Sequence, residues 1–78
     1  MSASMSISVT GQVRRIEIGM GAWAIVSDSG QTYELLKPPK DLAIPNLKVR
    51  VTGQVREDVM TAAMIGPVLE VSSFEVLA

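Results

Sequence analysis

Apolar and polar side chains alternate with a period of two along most of this chain. Ile7, Val9, Gly11 and Val13 alternate with Ser8, Thr10, Gln12 and Arg14. That period puts one set on a buried face and the other toward solvent, which predicts a half-buried strand. After Val13 the phase changes: Arg14 and Arg15 are adjacent, and Ile16 and Ile18 take over the apolar positions. The slip predicts a bulge or sharp bend, with Gly11 as the point of extra coiling. Gly19-Met20-Gly21 marks a turn, and a second strand is expected over residues 22–27 with Trp23 and Ile25 on one face. Asp28-Ser29-Gly30 predicts a tight hairpin, since Asp and Gly tolerate the positive φ such loops need. The third strand, 31–36, puts Tyr33 and Leu35 on one side and Thr32 and Glu34 on the other.

Pro38-Pro39 ends that strand, because proline removes a ladder donor and fixes φ. Residues 40–44 have room for one helical turn and no more. The fourth strand alternates Leu47, Val49, Val51, Gly53 and Val55 with Lys48, Arg50, Thr52, Gln54 and Arg56. A connection from Glu57-Asp58 to Gly66-Pro67 leads to a last strand over 68–76. There Leu69 and Val71 share one phase and Phe74 and Val76 the other, so a second slip is expected at Ser72-Ser73. The expectation is one all-β domain over 1–78: a closed or partly open five-stranded Greek-key barrel, OB-like. It carries at most one short helical turn between strands 3 and 4. Residues 1–5 are expected to be flexible.

Val9-Thr10-Gly11-Gln12-Val13-Arg14 recurs letter for letter as Val51-Thr52-Gly53-Gln54-Val55-Arg56. One reading is shared geometry, with glycine where a barrel wall must bend most. The other is duplication with two equivalent binding sites. The flanks (Ile7-Ser8 against Val49-Arg50, Arg15-Ile16 against Glu57-Asp58) agree weakly, which favours geometry.

Composition narrows the chemistry. With 78 residues there is room for one modest core, and a chain this short buries only roughly 60% of its unfolded surface. There is no Cys and no His, so disulfides, thiolate metal sites, and the commonest general base and metal ligand are missing together. Stability must be supplemented by tight β-packing or by self-association. A net charge of −1 gives no global attraction to nucleic acid or to an anionic membrane. The first residues lack the charged start and apolar run of a signal peptide, and no apolar stretch is long enough to span a bilayer. A soluble protein without membrane contacts is expected, with the cytoplasm as its location, which the missing Cys fits.

The residues resemble the OB fold, and in particular small bacterial OB-like domains of uncharacterised function. The resemblance rests on the Val9–Val13 strand, Trp23 opening the second strand, Asp28-Ser29-Gly30 before Tyr33, the Val49–Val55 strand, and Gly66-Pro67-Val68-Leu69-Glu70-Val71 leading into the last. In OB domains that bind single strands, the second and third strands form the ligand face. The resemblance therefore nominates Trp23, Thr32, Tyr33 and Lys37 as ligand-binding. Such domains usually present several aromatics over a basic groove, and this chain has three aromatics in all. Trp23 in phase with Ile25, and Tyr33 in phase with Leu35, favour core roles.

Two further surfaces are nominated. If the first and fourth strands pair, Arg14, Lys48, Arg50 and Arg56 gather into a basic stripe suited to phosphate, or simply into a solvated, edge-protecting face. Met60, Met64 and Ile65 lie in an apolar connection that either caps the barrel or offers a self-association patch. Catalysis finds no support: the acidic residues are scattered, the serines lack an activating partner, and no Gly-rich phosphate loop precedes a helix. No metal or cofactor is implied. The expected function is a non-catalytic interaction module acting through protein contacts or self-association, with single-stranded nucleic-acid binding as the alternative.

Overall fold

The computed structural model describes residues 6–59, 61, 63 and 65–77. The flexibility expected of residues 1–5 and the interface role expected of Met60 and Met64 fall outside those residues. Five strands form one sheet: β1 (Ser6–Ile16), β2 (Ala22–Ser27), β3 (Thr32–Leu36), β4 (Lys48–Arg56) and β5 (Val68–Val76). The sheet closes on itself in the order β1-β2-β3-β5-β4, and the described residues include no helix. The all-β barrel expected from the alternation is present. Its ring is uneven: β4 and β5 pair along residues 49–56 and 68–76, whereas β3 and β5 run parallel and meet only at 34–36 and 68–70.

Closure depends on β1 serving two neighbours. Residues 6–12 pair with β4 and residues 11–16 with β2, both antiparallel. Gly11 sits at the handover, and a Cβ there would fall on the Val26 carbonyl oxygen, so the two backbones approach closer than any side chain permits. The bulge expected after Val13 does not form, because pairing with β2 runs unbroken from Gly11↔Ser27 to Ile16↔Ala22. The change of phase has another cause. Arg15 keeps the phase of Val13, faces Trp23 across the strands, and lays its guanidinium over that ring 5.4 Å from the centroid. The second expected slip does form. Thr52 pairs with Ser73 and Gly53 with Val71, leaving Ser72 as the extra residue that returns Phe74 to the core side.

The core is built from Val9, Val13, Ile25, Leu35, Val49, Val51 and Leu69, with Leu42 added from outside the strands. Leu42 is delivered by the single turn expected between β3 and β4, in which the Pro39 carbonyl accepts from the Leu42 and Ala43 amides at 2.9 and 3.0 Å. The end of this connection is fastened to β1, with Asn46 N–H donating to Val13 C=O and Val13 N–H to Leu47 C=O.

The doubled hexapeptide lies about a local two-fold. Val9 faces Val51, Gly11 faces Val49, and Gly53 faces Ile7. Gly11 then abuts β2 at the Val26 carbonyl, and Gly53 abuts β5 at the Glu70 carbonyl, each one residue before the glycine's partner in register. The two copies solve the same close approach on either side of the β1–β4 seam, in keeping with the geometric reading.

Candidate interaction surfaces

Neither nominated ring lies on the outer face of β2 and β3. Trp23 pairs with Arg15 and Tyr33 with Ile25, on the core side of the wall, and both rings pack half-buried against the core cluster. Arg15 covers part of the Trp23 ring and is itself paired with Glu17 at 3.5 Å. Thr32 faces outward and is half-buried, while Lys37 is exposed just beyond β3 with a left-handed backbone, φ 46°. The four residues named for a β2–β3 ligand face are thus divided between the core side, the outer wall and a connecting turn.

The outer wall itself is covered. Ala24, Glu34 and Val68 form a row on the outside of β2, β3 and β5, yet all three are buried, Glu34 to 7% exposure. Part of the cover comes from the β4–β5 connection. The Thr61 hydroxyl donates to the Glu34 carboxylate at 2.6 Å, the Glu34 N–H donates to Pro67 C=O, and Gly66 passes against the Thr32 carbonyl. Ile65, named as an interface residue, is half-buried in this connection.

β1 and β4 do pair, and the outer row of the pair reads Gln12 with Lys48, Thr10 with Arg50 and Ser8 with Thr52. Arg14, Lys48 and Arg50 therefore share a face, whereas Arg56 lies beyond the β1 pairing, opposite Val68. Carboxylates answer most of these cations. Lys48 bonds Asp28 at 3.2 Å, Arg50 bonds Glu75 at 3.3 Å, and Arg56 takes Asp58 in a two-pronged grip at 2.8 and 2.9 Å while reaching Glu70 at 2.9 Å. The Arg56 guanidinium, by hydrogen bonding, holds the Asp58 carboxyl down to about 2. Among the described residues Arg14 has no carboxylate partner and donates to the Gln12 amide oxygen at 3.4 Å. The result is an alternating-charge face rather than a positive track.

The sequence reading missed the β1–β2 loop. Met20 at its tip is 99% exposed and Ile18 48%. The loop has a defined shape: Gly19 and Gly21 take φ of 59° and 90°, Gly21 N–H donates to Ile18 C=O at 2.9 Å, and Gly21 lies under the Arg15 guanidinium. The signal was present in Gly19-Met20-Gly21, where a large apolar residue occupies a turn that ordinarily takes polar ones. Among the described residues no group of three or more carboxylates converges as a metal site, and no helix is long and apolar enough to cross a membrane. Comparison with known proteins finds no matching family model, no matching curated protein and no matching solved structure.

Proposed function

We propose that this chain is a non-catalytic, OB-like interaction module that acts by self-association through the β1–β2 loop. The observation that carries the proposal is Met20, a large apolar side chain held wholly in solvent by two left-handed glycines, with Ile18 half-exposed beside it. A flexible, polarizable thioether adapts to an irregular apolar contact. A second copy of the chain is the occupant that fits best. A core this small gains little margin by itself, there are no cysteines to cross-link it, and a net charge of −1 opposes association only weakly. The strand order, with β1 closing against β4, supports the OB-like part of the reading.

Light scattering across protein concentration tests this. The molar mass rises from one chain toward two, and the double variant Ile18→Asp, Met20→Asp stays at one. A wild-type monomer at every concentration overturns self-association and leaves a different protein as the partner to seek.

Single-stranded nucleic-acid binding is the lesser reading. The rings sit on the core side, Thr61 and Gly66 of the β4–β5 connection lie against Glu34 and Thr32 on the outer wall of β3, and three of the four stripe cations carry carboxylate partners. Titrating a labelled single-stranded oligonucleotide at low salt while following Trp23 fluorescence is expected to show no quenching. Salt-sensitive binding there reverses the ranking.

A further inference from the structure

Strand direction sorts the surface of the barrel into two ends. The close of β1, β3 and β5 lies beside the start of β2 and β4, because all neighbours but β3 and β5 pair antiparallel. Every large apolar side chain exposed among the described residues belongs to that one end: Ile18, Met20, Ile44, Val76 and Leu77. Ile18 and Met20 stand on the β1–β2 loop. The other three surround the start of β4, where Val76 faces Val49, Leu77 N–H donates to Lys48 C=O and Leu47 N–H donates to Ile44 C=O. The core does not call on them, since Leu42 already fills it from the same end and is wholly buried.

Charge divides along the same axis. The apolar end carries four cations, Arg14, Arg15, Lys37 and Lys40, against Glu17 and Asp41, a formal side-chain net of +2. At the opposite end Arg56 is outnumbered by Glu34, Glu57, Asp58 and Glu70, a net of −3. The remaining charges pair off as Lys48 with Asp28 and Arg50 with Glu75. A chain whose net charge is only −1 is thus polarised from end to end. The acidic end is also held in shape: Arg56 grips Asp58 at 2.8 and 2.9 Å and Glu70 at 2.9 Å, and Thr61 bonds Glu34. Half-buried apolar side chains accompany it, Ile7 and Val55 on the strands and Val59 and Ile65 in the β4–β5 connection.

Two copies meeting by their apolar ends would set one cationic surface against another. An apolar end meeting an acidic end sets opposite charges together and gives Met20 half-buried apolar ground to rest on. We infer that copies of this chain associate head to tail, the Met20 end of one seated on the end of the next where Arg56 grips Asp58 and Glu70. This rests on the self-association reading and names the surface that receives the loop. Such a heterologous contact leaves one unused surface at each end of a pair, so assembly continues past two chains as concentration rises.

Analytical ultracentrifugation of the wild type, the Ile18→Asp, Met20→Asp variant and a Glu57→Lys, Asp58→Lys variant tests it. All four substituted side chains are exposed, and amide spectra report whether each variant is folded. Each variant alone is expected to stay at one chain. Their equimolar mixture forms pairs and stops at two, one intact loop on one intact acidic end. Raising NaCl from about 0.03 to about 0.5 M should weaken wild-type association about fivefold or more, because opposite charges are screened. Contact between two apolar ends would instead strengthen with salt, since there like charges are screened. With a wild type that associates, three results overturn the head-to-tail contact: association that salt leaves unchanged or strengthens, a Glu57→Lys, Asp58→Lys variant that associates as the wild type does, or a mixture that remains at one chain. A wild type at one chain throughout overturns self-association itself.

Discussion

A Cβ at Gly11 would fall on the Val26 carbonyl oxygen, and one at Gly53 on that of Glu70. Neither glycine has the positive φ that commonly explains the residue; each is needed for the approach of two backbones. Backbone cannot move aside as a flexible side chain can. Gly11→Ala and Gly53→Ala should therefore each cost about 3 kcal/mol or more, read as a lower denaturation midpoint. Gly30→Ala is the informative contrast. Its φ of 95° strains any other residue, but no atom lies near its Cβ, so about 1–2 kcal/mol is expected. Asp58 offers a test of a different kind. Hydrogen bonding from Arg56 lowers its carboxyl from 3.8 to about 2. Because the folded value lies below the unfolded one, this attraction is fully present above 3.8 and is lost as pH falls toward 2. Carbon-detected titration of the Asp58 carboxyl should give a midpoint near the lower value, and Arg56→Gln should return it toward the upper.

At the scale of elements, the strands and the connections obey different rules. Every strand could be placed by its alternation, because a period of two follows directly from the pleat. The connections contribute what alternation does not encode. Leu42 lies in no strand, yet the turn at Pro39 drives it wholly into the core. Leu42→Ala should cost about 2–5 kcal/mol by chemical denaturation, as for a strand leucine. An outcome below about 1 kcal/mol would show the turn to be an ornament on a barrel already closed without it. The β4–β5 connection likewise lies over an outward row that includes Glu34, a residue the alternation assigns to solvent. Arg15 shows the limit from the other side. Two adjacent arginines read as a broken phase, although the register continues and the second arginine lies over Trp23.

Self-association makes its clearest prediction for the whole molecule. If two copies share the β1–β2 loop, the thermal midpoint rises with protein concentration in the wild type, and that dependence disappears in the Ile18→Asp, Met20→Asp variant. A midpoint independent of concentration in both counts against it. The sequence by itself determined the class of fold, the five strands, the core phase of Trp23 and Tyr33, and the slip at Ser72, since each follows from the side-chain period along a local stretch. It also marked Arg14, Lys48, Arg50 and Arg56 as a candidate stripe, because alternation tells which side chains share a face. Only the tertiary structure decided what those faces meet. The carboxylates of Asp28, Glu75 and Glu70 reach the stripe from other strands and turns, Thr61 of the β4–β5 connection meets Glu34 on the outer wall, and a groove opens where β1 and the hairpin part. These are juxtapositions of residues distant along the chain, set by the closure of the ring, and no local period records them.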